Sequence, residues 1–246
     1  MITVNWLGYW YRKVQIRKNA EHVDPPVPLE GSLLGLMGLM LAFSFSMAAS
    51  KFENRRVIIV DEANNIATAM RNSFLYPDSV RNLFLGDFKQ YVEARINYYD
   101  AVNDPVLISA ALEKSNHYSM RILRLAMQQA KNFQNNIRTG QMIPAVNRMI
   151  ESVTTREASR IAKTPSLILI MLLLLIFSTT FLVGYGNKAK KINFIMVTGF
   201  ALMTTLTVYV IIELDRPRKG VINLDEAEKN ITELRKQVNG DKWDTE

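Results

Sequence analysis

Glu62 and its neighbours are the residues of this 246-residue chain whose types and spacing come closest to ionic or acid–base chemistry. Asp61-Glu62 stands beside Asn64-Asn65, two carboxylates next to two amides. Such a group can form a carboxylate site, or one acid can pair with a basic residue of a neighbouring helix, such as Arg156 or Arg81. Just upstream, Arg55-Arg56 supplies two adjacent cations. Glu113 and His117 share a helix face four residues apart. A carboxylate-bridged pair of metals would need a second His on a matching helix, and the only other one is His22. The chain has no Cys, which excludes disulfides, thiolate zinc sites, iron–sulfur clusters and Cys nucleophiles. It also lacks a P-loop, a dinucleotide-binding glycine pattern and a nucleophile elbow. The residue types therefore point to a protein that is not an enzyme, with no metal and no cofactor.

The elements around these residues are set by three charge-free stretches. Residues 31–50, 165–187 and 192–212 contain no Asp, Glu, Lys or Arg. At about 1.5 Å per residue each helix spans roughly 30 Å, the thickness of the hydrocarbon core. Leu167 to Phe177 is an unbroken apolar run, and Pro165 opens it where a missing N–H costs little. Gly184-Tyr185-Gly186-Asn187 closes it, and Lys188, Lys190 and Lys191 turn the chain into the next span. Spans two and three thus read as a transmembrane hairpin.

Three spans put the N-terminus and residues 188–191 on one side, with 51–164 and the C-terminus on the other. Lys51, Arg55, Arg56, Arg156, Arg160, Lys163, Arg216, Arg218 and Lys219 flank the spans on the large-domain side, so that side is placed in the cytoplasm. The net charge of +7 then reflects topology and contact with anionic lipid, not nucleic acid. Residues 1–30 read as an interfacial segment rich in Trp6, Tyr9, Trp10 and Tyr11, or as the end of a further span.

Gly31, Gly35, Gly38, Ala42, Ser46 and Ala49 fall within an arc of about 80° on the first span. A small-residue stripe admits another backbone at close range. Beside it, Leu39, Phe43 and Met47 repeat every four residues. A ring of such side chains from several copies can line a conduit and gate ions by dewetting.

Residues 51–164 read as helical almost throughout. Lys51 to Phe74 has no Pro or Gly, so the first span continues as one long helix. Tyr76-Pro77-Asp78-Ser79 breaks it, with Asp78 or Ser79 as the next cap. Leu83, Phe84, Phe88, Tyr91, Val92 and Ile96 recur at helical spacing to about Asn103. After Asp104-Pro105 a third helix runs to about Phe133, its inward face Leu107, Ala111, Met120, Leu123, Met127 and Ala130. Residues 134–140 read as a turn, and a last helix starts near Met142. Asp215-Arg216-Pro217 stops the third span, either bordering an ion path or pairing with another helix. Residues 213–246 form a tail in which Asp225 and Glu228 match a capping box. Ala227, Ile231, Leu234 and Val238 give it one apolar face, for docking on the bundle or on lipid. The fold class is all-α: a membrane helical bundle whose long helices extend into a cytoplasmic helical domain.

Leu33 to Ala48, then Arg55-Arg56 and Glu62-Ala63-Asn64, resemble the bestrophin-like membrane proteins of bacteria, a family distantly similar to bestrophin anion channels. Leu75-Tyr76-Pro77 with Arg81, Tyr91, Arg95, Ile143-Pro144, Asn147, Arg156 and Leu214-Asp215-Arg216-Pro217 closing at Gly220 extend the resemblance over about residues 30–222. Leu41-Ala42-Phe43 with Arg55-Arg56 is similar to a segment of the bestrophin pore helix, although Ala42 stands where those channels have Gly, and no Trp follows the Arg. The resemblance implies a homo-oligomer that passes anions. The constriction would lie at Leu39 and Phe43, with Arg55 and Arg56 drawing anions to the mouth. The alternative is a non-conducting scaffold or sensor whose helical domain binds a partner.

Overall fold

The structure is a computed structural model, and it describes residues 1–18, 27–102, 104–162, 165–187, 193–216 and 221–239. Lys163, Lys188, Lys190, Lys191, Pro217, Arg218, Lys219, Gly220 and His22, all used in the sequence reading, lie outside the described residues. Among the described residues every regular element is helical, so the protein is an all-α membrane bundle. The helices are α1 (Ile2–Lys18), α2 (Val27–Ser73), α3 (Asp78–Asp100), α4 (Pro105–Gln129), α5 (Asn136–Ile161), α6 (Ser166–Gly186), α7 (Phe194–Asp215) and α8 (Asp225–Val238). They fall into two units. One comprises Met1–Lys51 and Lys163–Arg216, the other Phe52–Ala162 and Pro217–Glu246. α2 runs unbroken for 47 residues, and no Pro or Gly interrupts it from Lys51 onward.

The first unit holds the apolar helices. α2, α6 and α7 are each long and apolar enough to cross a membrane. α1 is a helix packed along α6. Its contact is set by two glycines. Gly8 faces the backbone of Phe181 and Tyr185, and Gly184 faces the backbone of Asn5, so close that a Cβ at either would overlap main-chain atoms. Polar side chains then find main-chain partners. Asn5 Nδ2 donates to the Thr180 carbonyl at 3.2 Å, and Arg12 Nη1 to that of Tyr185 at 3.3 Å. Tyr185 donates its hydroxyl to Gln15 at 2.8 Å. Trp6, Trp10 and Tyr11 remain exposed on α1, whereas Tyr9 is buried.

The second unit is a five-helix lobe around one core. Ile59, Ala63, Ile66 and Met70 of α2 meet Phe84, Phe88, Tyr91 and Val92 of α3, Ile122 and Ala126 of α4, and Met142, Val146 and Met149 of α5. Ala227, Ile231 and Leu234 of α8 complete it, so the tail helix docks on the bundle and not on lipid. The capping box does not form. Leu224 is the N-cap without a side-chain bond, and Glu228 turns inward to an arginine.

Other boundaries also differ from the sequence reading. Pro77, not Asp78 or Ser79, is the N-cap of α3, and Asp78 instead pairs with Arg81 at 2.9 Å. Asp104 caps α4 by accepting from the Val106 and Leu107 amides, with Pro105 in the first turn. α5 begins at Asn136, after a short 3-10 turn at Phe133–Asn135, and continues through Pro144. The proline removes only the bond to the carbonyl of exposed Gly140, which water can satisfy.

The face of α4 is the clearest correction. Leu107, Met120 and Met127, expected inward, are exposed, and so is Leu83 of α3. The buried stripe is Ile108, Ala111, Ser115, Ser119, Ile122 and Ala126. Two serines break its hydropathy, but their hydroxyls are satisfied within the helix by the Leu112 and Asn116 carbonyls. Their small size suits a close contact with a neighbouring helix, and the flanking Leu and Met residues disguise the pattern.

Candidate functional site

The first candidate lies on α2 within the membrane unit. Met37, Ser44 and Ala48 are buried in the chain, which fixes the helix's inward face. The other side is open. Leu39 is 52% exposed, Phe43 60% and Met47 37%. Gly31, Gly35 and Gly38 have open space where a Cβ would stand, and Ala42 and Ser46 are exposed. The small-residue stripe and the apolar row therefore share the outward side of one helix. Among the described residues of one copy, nothing encloses this face.

The second candidate is an ionic cluster inside the lobe. Glu62 on α2 is wholly buried. Its Oε1 accepts from Arg95 Nε of α3 at 2.5 Å, and its Oε2 from Arg156 Nη1 of α5 at 2.7 Å. Arg156 turns its other amino group to Glu228 of α8. Four helices are thus tied by two carboxylates and two guanidiniums, whose charges cancel. The ring of Tyr98 lies against both cations, 4.4 Å from the Arg95 guanidinium carbon and 5.1 Å from that of Arg156. Its hydroxyl donates to Glu157 at 2.6 Å, and Glu157 also accepts from Arg160.

Burial by itself would discourage ionisation of Glu62, but the facing charges of Arg95 and Arg156 outweigh it and hold the carboxyl below its ordinary value. Burial likewise works against the Arg95 cation, and Glu62 more than compensates, so its proton is held more tightly than usual. Tyr91, one turn before Arg95, has its hydroxyl pushed up by burial. Glu62 is therefore an ion-pair member and not an open carboxylate site. Of the two partners considered from sequence, Arg156 binds it, whereas Arg81 pairs with Asp78 and stacks on the Phe74 ring at 5.3 Å.

The remaining motif residues take lesser places. Arg55 is buried, and its guanidinium donates to the Ser159 and Ala162 carbonyls at 3.3 and 2.8 Å, capping the end of α5. Its donors are thus used on the lobe's own backbone. Arg56 is exposed and pairs with Glu53 at 2.9 Å. Asn64 and Asp61 are exposed. Asp215 is half-buried at the end of α7, and Arg216 is its exposed C-cap. Glu113 and His117 are exposed, with the imidazole edge-on to Tyr118. Sequence reasoning overlooked Glu228 as a buried acid, because the capping-box pattern already accounted for it. It also overlooked Gly8 and Gly184, whose only signal was a small residue on each of two helices.

A family model described as a bestrophin-like domain matches residues 28–228. No curated protein sequence matches the chain. Among solved structures, a variant of a membrane protein is similar at 11% identity and a TM-score of 0.72, with 97% of each chain covered. A variant of a bacterial bestrophin homologue from Klebsiella pneumoniae is similar at 12% identity and a TM-score of 0.70, again with 97% of each chain covered. A second variant of that homologue gives 11% and 0.67, covering 94% of this chain and 97% of its own.

Proposed function

The chain belongs to the bestrophin-like family, and from that premise we propose that it is a homo-oligomeric channel of the bacterial inner membrane that passes anions along a path lined by α2. The observation that carries this reading is the outward face of α2, where apolar Leu39, Phe43 and Met47 lie open beside a stripe of Gly, Ala and Ser. In a ring of copies the stripe lets neighbouring backbones approach, and the apolar row faces the axis. A constriction at Leu39 and Phe43 gates by excluding water when narrow. The lobe stands in the cytoplasm. Arg55, whose donors go to neutral carbonyls, and the basic residues flanking the spans supply the positive potential, while the charge of Arg56 is offset by Glu53. No residue of this mechanism makes or breaks a covalent bond.

The test is anion flux into liposomes carrying the purified protein. Wild type is expected to give low but measurable chloride flux, and Phe43→Ala to raise it several-fold. Zero flux from both proteins, in vesicles shown to contain folded oligomer, would sink the channel reading. A scaffold reading is favoured by a separate observation, the exposed Val106, Leu107, Met120 and Met127 on α4. Crosslinking that recovers one stoichiometric partner on α4, without flux, selects it.

A further inference from the structure

We infer that the membrane unit holds one lipid tail in a groove between α1 and α7. The groove measures about 160 Å³ and is lined by Ile2, Thr3, Asn5 and Trp6 of α1 with Phe194 and Val197 of α7. Its origin lies in the packing of α1. Gly8 and Gly184 bring that helix onto α6 at backbone contact, while α1 meets α7 far more loosely. The gap left on the α7 side is the groove. Its depth follows from α6. Asn5 bonds the Thr180 carbonyl and Gly8 faces Phe181, six and five residues before that span ends at Gly186. At about 1.5 Å per residue this is roughly 8–9 Å inside the end of the span. Phe194 and Val197 both belong to the first turn of α7.

The lining decides the occupant. Asn5 gives its amide N–H to the Thr180 carbonyl, and the surface left in the groove is almost wholly apolar. A buried water needs about two to four polar partners, whereas an apolar cavity of about 150 Å³ stays dry and takes up benzene. The groove therefore takes hydrocarbon, and an empty one would forfeit dispersion contacts along both walls. It is open on one side, where Trp6 and Phe194 are 52% and 63% exposed. α6 and α7 are spans, so what lies outside them is lipid. A tail of the leaflet at the Gly186 and Phe194 ends of these spans enters sideways without leaving hydrocarbon. About six of its carbons, the size of benzene, fill the space. Walls on two helices set this tail apart from the lipid that merely surrounds the protein. It has one place per chain, so its binding saturates. Among the described residues none of α2 lines the groove, so the channel reading neither supports the inference nor depends on it.

The tryptophans of the chain are Trp6, Trp10 and Trp243, so Trp10→Phe with Trp243→Phe leaves the groove's own indole as the reporter. The full chain is titrated in detergent with phosphatidylcholine brominated on its acyl chains, because bromine quenches a nearby indole. Quenching of Trp6 is expected to saturate at one lipid per chain. A version that keeps only Trp10, exposed on the same helix, reports surrounding lipid and should go on rising past that ratio. Val197→Phe, which fills the groove from α7, is expected to remove most of the saturable quenching. Ile2→Phe fills it from α1 and takes its place should the first variant not fold. Should neither fold, the contrast between Trp6 and Trp10 alone decides. Trp6 quenching that rises in step with that of Trp10 means surrounding lipid only and overturns the proposal. No quenching of Trp6 means a groove closed by a second copy and also overturns it. Saturable quenching unchanged in a filled, folded variant does the same.

Discussion

Glu62 and Arg156, 94 positions apart in sequence, form a 2.7 Å ion pair with both side chains buried. The pair ties the helix that carries the first apolar span to the helix that leads to the second. Through Glu228 it also reaches the tail helix. Removing one member of a buried pair leaves an uncompensated charge, which costs far more than losing a surface pair.

Glu62→Gln is therefore expected to destabilise the lobe by about 3–5 kcal/mol, the usual cost of breaking a buried pair from one side. Arg235→Ala, which removes the partly exposed pair with Glu93, should cost only about 0.2–1 kcal/mol. Denaturant unfolding in detergent, followed by far-UV circular dichroism, measures both. Similar costs for the two variants would contradict the assigned role of Glu62.

Stability should fall at both ends of the pH scale for identifiable reasons. The Glu62 carboxyl is held below its ordinary value, so its contribution is complete above the unfolded value and lost as pH drops through the folded one, below roughly pH 4. Tyr91 is raised, and Tyr76 is pushed up to about 12, both first through burial. Their unfolded forms ionise near pH 10 while the folded ones keep their protons, so stability declines above roughly pH 10. Thermal midpoints across pH test this, and Tyr91→Phe should flatten the alkaline limb.

Two glycine positions separate packing within the chain from packing between copies. A Cβ at Gly184 would overlap the Asn5 backbone, so Gly184→Val should push α1 off α6. Faster tryptic cleavage after Arg12 would report it, because that guanidinium is now held by the Tyr185 carbonyl. Gly35 has open space around it, so Gly35→Leu should leave the subunit folded. In a small-residue interface the same change should shift the oligomer toward monomer, read by size-resolved light scattering in detergent.

Arg55→Ala should loosen the end of α5, since both carbonyl contacts vanish from a buried site. Hydrogen exchange at residues 158–162 should quicken, with the centre of α3 unchanged. Arg56→Ala, which loses only an exposed pair with Glu53, should leave exchange as in wild type.

The spans needed no tertiary information. Lipid offers the backbone no hydrogen-bond partner, so a charge-free stretch of bilayer length has helix as its one solution. α6 and α7 accordingly end within a few residues of the expected limits. The lobe helices were also legible, because Pro77 and Asp104-Pro105 break the chain where local chemistry demands it. The inward face of α4 was not legible. Ser115 and Ser119 are polar by type, and only the bonds they make to their own helix render them fit for the core.

The candidate sites divide along the same line. The alternation of small and bulky residues on α2 is a property of one helix, set by 3.6 residues per turn, so the sequence alone determined which residues share that face. Whether the face is covered by the same chain depends on everything else that packs, and only the tertiary structure decided that it stays open. The ionic cluster shows the stronger dependence. Sequence marked Glu62 and Arg156 as a possible pair among others, but Arg95 and Glu228 join them from two further helices. Which charge meets which is decided by the packing of four helices, because an ion pair is worth forming in a core only where geometry leaves neither partner alone.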